Sequence, residues 1–483
     1  MIGAAEWYGK ECGDCGVIAV CAAYERDCAS RGSIRAGVVA NVGLRRVSSL
    51  RMQALLLRGG RVIDPASRRD EIADVAIAGG VIAAIGSQLP VPAGAKVIDA
   101  EGCIVMPGLV DPHMHLREPG QEHKETIATG TAAAVAGGFT TVVCMPNTSP
   151  ALDTPETLAW VQQRAGQTAA CRVFATAAVT RGRKGEELTE IHLLREAGAV
   201  AFTDDGDCVP TAGMMSRVLG AVASTGCCFM QHCQEPTMTR GSAMHGGAIA
   251  TRLGLAGWSR AAEEVIIERD VRLNRGVNCR YHVQHMSSGE SVDIVRRARA
   301  SGQPVTAEVS PHHLVLTHDI CDNYNTLGKV NPPVREKKDI EALIAGVADG
   351  TVTVLATDHA PHSADEKALP FEEAPFGMVG LETALPLYVE ALVTSGAIDW
   401  RRLVAMLTIE PATLCNLDGM GIGQLQVNGP ADVTVFDPHV KWTCLPEKLA
   451  SKSKNTPYGG RSLTGRTVLT VVSGLVRHEL PRT

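Results

Sequence analysis

The sequence predicts an α/β chain: a TIM-type (β/α)8 barrel carrying a small β-sandwich assembled from both of its flanks. Three observations predict it. Eight short apolar runs alternate with helix-like stretches through the middle of the chain, the rhythm of parallel βα units, and eight is the number that closes such a barrel. Strand-and-turn patterning without intervening helices returns at both ends. At 483 residues the chain has room for a barrel of roughly 250–300 residues and a second domain.

Residues 1–51 lack clear periodicity. They hold Cys12 and Cys15 in C-x-x-C spacing, then Cys21 and Cys28, and end in a basic cluster of Arg45, Arg46 and Arg51. No histidine or second C-x-x-C closes a zinc knot there. The segment is expected to be an N-terminal extension, poorly ordered or mis-started, with no catalytic role; a targeting arm is the alternative. Residues 52–106 open with MQALLLRGGRVIDPASRRDEIADVAIAGGVIAAIGSQLP, short strands split by Gly-Gly and Pro-Ala turns. The same pattern recurs in 416–483 as GPADVTVFDP, KWTC and GRTVLTVVSGLVRH. These two arms are the expected halves of the sandwich.

Residues 107–415 are the expected barrel. Its strand candidates are IVMPGLVDPHMH, TTVVCMPN, RVFATAAVT, AVAFTDD, CCFMQHC, RYHVQHM, PVTAEVS and TVTVLATDH. A connecting helix such as SGESVDIVRRARASG has Ser288 as its N-cap and Gly302 near its end.

Barrel active sites sit at the C-terminal ends of the strands. Candidate strand one ends in His113 and His115, two in Asn147, four in Asp204 and Asp205, five in His232, six in His285 and eight in Asp358. Alternate side chains of a strand share a face, so His113 and His115 project together with Met114 opposed. Imidazoles and carboxylates at five strand ends point to a metal site. They exceed the three protein ligands of one catalytic zinc and suit two metals sharing a carboxylate. Asp204 and Asp205 face opposite ways in a regular strand, so one of them is structural. Metal-activated water would be the nucleophile at neutral pH, and Asp358 in ATDHAPH could shuttle its proton. Arg117, Asn147 and His362 are donors suited to a carboxylate, and Asn331 in KVNPPVR to a polar ring edge. His312 and His313 read as supporting or packing residues, and His359 as pointing away from the metals. The stretch 363–382, rich in Pro and Gly, is a candidate for closing over substrate.

Composition bounds the partners. Apolar content of 45% and charged content of 20% describe a folded core, and a net charge of −6 argues against nucleic acid. No apolar run approaches the ~20 residues of a membrane span, and no basic-then-apolar signal peptide opens the chain. Fifteen cysteines, many in apolar segments, read as buried reduced thiols, which fits a cytoplasmic protein.

In this order, DPHMHLREPG, MPNT, FTDDG, QHMS, SPHHL, KVNPPVR, ATDHAPH and SKSKNTPY resemble the class I dihydroorotases of the amidohydrolase superfamily, from Met52 to about Glu479. The resemblance implies a Zn2+-dependent, reversible cyclisation of N-carbamoyl-L-aspartate to (S)-dihydroorotate in de novo pyrimidine synthesis. It implies one zinc on His113, His115, Asp205 and Asp358 and a second on Asp205, His232 and His285, with Asp358 as acid and base. It implies substrate contacts from His115, Arg117, Asn147, Asn331, His362 and the Phe376–Gly377 backbone. Hydantoinases and allantoinases bridge their metals with a carboxylated lysine on strand four; GAVAFTDDGD has no lysine, which is the class I pattern. The alternatives are another cyclic amidohydrolase of the hydantoinase or allantoinase kind, or a non-catalytic barrel partner of aspartate transcarbamoylase. One zinc or two, a homodimer, and association with a transcarbamoylase stay open.

Overall fold

The computed structural model describes residues 53–481, so the expectations for residues 1–51 lie outside the described residues. The N-terminal arm forms β1 (Leu55–Asp64), β2 (Arg69–Ala78), β3 (Val81–Gly86), β4 (Lys96–Asp99) and β5 (Ile104–Pro107). The middle contributes β6 (Leu109–Met114), β7 (Phe139–Cys144), β8 (Arg172–Ala175), β9 (Ala201–Phe202) and β10 (Cys228–Gln231). A short parallel pair, β11 (Met244–His245) and β12 (Gly257–Trp258), lies in an insertion after β10. Then come β13 (Arg280–Val283), β14 (Val305–Val309) and β15 (Val354–Leu355). The C-terminal arm adds β16 (Val433–Thr443), β17 (Ser462–Val472) and β18 (Leu475–Glu479).

All eight predicted barrel strands form. β6, β7 and β8 make one parallel sheet, and β9, β10, β13, β14 and β15 another. Isolated parallel bridges join the two at both edges, Ala177 to Phe202 and Met114 to His359. Backbone hydrogen bonds seal the second seam, from Asp358 N to His113 O (3.1 Å) and from His115 N to His359 O (2.9 Å). The barrel is therefore closed, and the seam between its first and last strands runs through the candidate site residues.

The two arms share one eight-stranded sheet, ordered β18-β17-β16-β5-β1-β2-β3 with β4 paired to β1. The β5–β16 pairing, Val105 opposite Val435, joins chain segments more than 300 residues apart. The sheet curls over a single apolar core that includes Leu57, Val75, Ile82, Val105, Val435 and Leu469. The curl brings the β17–β18 turn against the β2–β3 turn. Gly474 sits there at φ +77, and a Cβ on it would lie 2.6 Å from the Gly80 Cα, so neither the backbone angle nor the space admits a side chain.

The helix Gly289–Ala300 shows where local signals reach their limit. Ser288 does occupy the N-cap position, but its hydroxyl makes no cap bond. It donates to Glu264 (2.6 Å), and the Gly289 N–H is satisfied by Asp339 (3.1 Å) from a distant helix. Gly302 follows the helix at φ +83, in the conformation a helix end favours. Among the described residues, no helix is long and apolar enough to cross a membrane. The eleven described cysteines are all free and buried.

Candidate active site

The rim at the C-terminal ends of the barrel strands gathers the predicted residues. His113 is the second-last residue of β6 and His115 follows the strand; Asp205 follows β9, His232 follows β10, His285 follows β13 and Asp358 follows β15. All six side chains are buried. Asp205 lies at their centre: its carboxylate is 3.3 Å from His113 Nε2, 3.5 Å from His232 Nδ1, and 3.7 Å from both His115 Nε2 and His285 Nε2. Asp358 Oδ1 is 3.2 Å from His115 Nε2 and 3.6 Å from His113 Nε2. Asp204 points away, although both aspartates lie beyond the end of β9. It accepts from Val179 N (2.9 Å), Thr180 N (3.1 Å) and the Thr180 hydroxyl, which leaves Asp205 alone to face the histidines.

The backbone here is unusual. Arg117 (φ 60), His285 (φ 29) and Asp358 (φ 46) occupy the left-handed region, which side chains beyond glycine rarely adopt. Three such residues at one rim mark a place where surrounding structure dictates the backbone. Asp111, buried inside β6, is part of that support. It accepts from the Thr357 hydroxyl (2.5 Å), from Thr357 N (3.1 Å) and from His113 N (3.2 Å), tying the first strand to the last. Burial pushes its carboxyl up to about 7.

Second partners orient the imidazoles. His113 Nδ1 faces Glu308 Oε1 at 2.5 Å, His115 Nδ1 faces Asn147 Oδ1 at 2.9 Å, and His232 Nε2 faces Gln234 Oε1 at 3.0 Å. Each of these oxygens accepts the proton of one ring nitrogen, so the other nitrogen turns bare toward the cluster. Electrostatics agree with the geometry. Burial opposes ionisation of Asp205, but His113, His232 and His285 outweigh it and hold the carboxyl well below its ordinary range. Asp358 is held low in the same way by His115, His113 and His285. Burial disfavours a charged His113, yet Asp205 and Glu308 raise its pKa well above the ordinary value, so these carboxylates draw positive charge to this point, a proton on Nε2 where a metal ion would otherwise take its place.

This donor set fits metal ions. His113 Nε2 and Asp205 Oδ1 are buried and have no hydrogen-bond partner. His232 Nδ1 and His285 Nε2 face each other at 2.7 Å. The ligand atoms of His113, His115 and Asp358 lie within 4.8 Å of one another, as do those of His113, Asp205 and His285. A cation is what a cluster of bare imidazole nitrogens and carboxylate oxygens lacks.

Beside the cluster lie the predicted substrate contacts. Arg117 is buried; its Nε donates to Pro361 O (3.2 Å), and burial pushes it down only to about 10, so it stays charged at neutral pH. His362 Nε2 donates to Phe376 O (2.8 Å), while its Nδ1 faces Lys124 Nζ at 3.4 Å. Burial, then the Arg117 charge, pushes His362 down to about 2, so it is neutral. Its Nε2, 3.3 Å from Arg117 Nη2, thus presents a proton to that guanidinium rather than a lone pair. Asn331 donates to Gln234 Oε1 (3.0 Å) and keeps a buried Oδ1 without a partner. His312 Nε2 is 3.9 Å from Asp358 Oδ2, while His359 turns away to face Glu125 at 3.5 Å. Burial pushes the Cys144 and Cys208 thiols up to about 12, so neither is a thiolate.

Sequence reasoning missed Glu308. It grips His113, approaches His282 Nε2 (3.1 Å) and accepts from His285 N (3.2 Å), and it is held at about 2 against the effect of burial by His113 and His282. A signal existed: a carboxylate inside the apolar run PVTAEVS needs a buried partner. Glu308→Gln is expected to weaken divalent-metal binding about 10- to 100-fold, read by chelator competition on the purified protein.

A family model described as Dihydro-orotase-like matches residues 102–291. The dihydroorotase of Geotalea daltonii is 45% identical over 425 residues, covering 88% of this chain and 99% of its own. The dihydroorotase of Bacillus caldolyticus is 48% identical over 403 residues, covering 83% and 94%. Among solved structures, the L-hydantoinase (dihydropyrimidinase) of Arthrobacter aurescens is 26% identical with a TM-score of 0.79, covering 89% of this chain and 97% of that one. A D-hydantoinase of Bacillus sp. AR9 is 25% identical with a TM-score of 0.76, covering 87% and 94%.

Proposed function

The chain belongs to the dihydroorotase family and is a hydrolase of cyclic amides, and on that premise we propose that its rim cluster binds two zinc ions and interconverts N-carbamoyl-L-aspartate and (S)-dihydroorotate. The observation that carries the reading is the convergence of four imidazoles and two carboxylates from five strand ends, with His113 Nε2 and Asp205 Oδ1 buried 3.3 Å apart and neither making a hydrogen bond. His113, His115 and Asp358 would hold one ion, and His232 and His285 the other, with Asp205 between them. When bound, the metal supplies an acidified water at neutral pH and a polarised carbonyl.

The side chains supply the rest. Asp358 is ionised, and while its Oδ1 faces the histidines, Oδ2 handles the proton. In hydrolysis Oδ2 takes the proton of the attacking water and delivers it to the leaving ring nitrogen. In ring closure it removes a proton from the ureido nitrogen as that nitrogen bonds to the side-chain carboxyl carbon, and passes it to the departing oxygen, which leaves as water. Arg117, with Asn147, clamps the carboxylate that does not react, and His362, whose one N–H is held by Phe376 O, can join them only by turning that proton from the carbonyl to the substrate. Asn331 Oδ1 accepts from a ring N–H. The strand-four end carries Asp204 and Asp205 and no lysine, which favours dihydroorotate over the hydantoins.

The test is a pair of assays on the purified protein, dihydroorotate hydrolysis and hydantoin hydrolysis, each before chelation, after it, and after zinc is returned. Dihydroorotate turnover that disappears on chelation and comes back with zinc is the expected result. Turnover of hydantoin alone would replace the proposal, and metal analysis of the active protein counts the ions.

A further inference from the structure

The Phe376–Gly377 peptide lies in a stretch that two buried lysines grip from outside it. Lys329, just after the turn Thr326–Gly328, donates from Nζ to the carbonyls of Phe371 (2.5 Å) and Glu372 (3.0 Å). The same Nζ lies 4.5 Å from the centre of the Phe376 ring, which makes a T-shaped contact with Trp258. Lys367, at the end of the helix Ala364–Lys367, donates to the carbonyls of Pro375 (2.9 Å), Gly377 (3.1 Å) and Lys329 (3.4 Å). The Gly377 N–H returns to Lys329 O (2.9 Å). A third side chain joins them. Asn455, in the SKSKNTPY segment, donates to Gly377 O (3.1 Å) and Ala360 O (3.1 Å), and its Oδ1 accepts from His362 N (3.1 Å).

Both lysines are buried, and their hydrogen bonds go to backbone carbonyls. An ammonium has three donors and no acceptor, so it can hold several carbonyls in one geometry. Burying that charge is costly: burial pushes Lys329 down to about 8, and burial with the neighbouring Lys329 charge pushes Lys367 down to about 7, where Cys321 and Glu366 are the other ionisable groups facing it. A methionine would fill either space without this cost. Two such costly groups aimed at one short stretch fix where its backbone lies.

We propose that Lys329, Lys367 and Asn455 are positioning residues that hold the Phe376–Gly377 backbone, and through it His362, in the geometry that receives the substrate. The proposal rests on the reading that this backbone touches substrate.

The experiment compares Lys329→Met, Lys367→Met and Asn455→Asp by steady-state kinetics on dihydroorotate, with metal content and hydrogen exchange on each protein. The expected result is a KM raised about tenfold or more with kcat within about threefold, the pattern of lost binding rather than lost chemistry. Exchange should quicken over residues 370–378 with metal content unchanged. Lys367→Gln, which keeps two donors, should recover most of the affinity and so separates the clamp from simple packing. The Asn455 variant asks the same question if a methionine variant does not fold. Folded variants with an unaltered KM overturn the proposal, as does a fall in kcat alone. Gly377→Ala separates this from failure of the underlying reading, because its Cβ would lie 2.7 Å from the Ala360 Cβ and must displace the loop. A raised KM there with unaltered KM in the lysine variants removes the clamp alone. An unaltered KM in Gly377→Ala removes the substrate contact itself, and the clamp with it.

Discussion

Asp358→Asn is expected to lower kcat for dihydroorotate hydrolysis by about 100- to 10,000-fold, the usual range for losing a general acid and base. The amide keeps an oxygen where Oδ1 faces His115 and His113, but it cannot accept a proton at neutral pH. The loss should appear in kcat and kcat/KM together, because a group that moves a proton in the transition state contributes little to binding the ground state. Metal analysis of the variant is part of the measurement. Full metal content with the kcat loss assigns the proton transfer to Asp358; a kcat near that of the parent would remove Asp358 from the mechanism. Loss of metal in step with activity would leave it only a ligand.

Arg117→Ala should act on the other parameter. Its guanidinium is buried and ionised at neutral pH, and its Nε already holds Pro361 O. The remaining N–H groups are available to the carboxylate of the substrate. A hydrogen bond to a charged partner contributes about 1.5–3 kcal/mol, which at 1.4 kcal/mol per tenfold corresponds to roughly a 10- to 100-fold rise in KM. Lysine should restore little, since one ammonium does not reproduce the planar fork. Steady-state kinetics on dihydroorotate decide it: an Arg117→Ala protein with an unaltered KM would rule out the clamp.

The two variants address residues that the sequence singles out in different ways. His113, His115, His232, His285 and Asp358 were legible because each stands at the C-terminal end of an apolar run, and a closed barrel brings all such ends to one rim. Arg117 and Asn147 follow strand ends by a few residues, and only their donor chemistry recommended them. Local periodicity did not choose between Asp204 and Asp205, although the family resemblance favoured Asp205. The choice depends on which carboxylate meets Thr180 and the Val179 N–H across a neighbouring loop, and only the packed structure brings those donors to Asp204.

By itself, then, the amino-acid order determined the eight barrel strands, a strand-rich domain shared by the two arms, and most of the side chains that would meet. Those properties follow from local periodicity and from the few ways βα units can close. That the arms form one curled sheet is a finding of the structure. The tertiary structure decided how the meeting is held. Glu308 behind His113, Asp111 between the first and last strands, and Lys329 under the Phe376–Gly377 peptide each act on partners tens to hundreds of residues away. Local periodicity says which way a side chain points; which distant acceptor waits there is settled only when the barrel closes and water leaves the site.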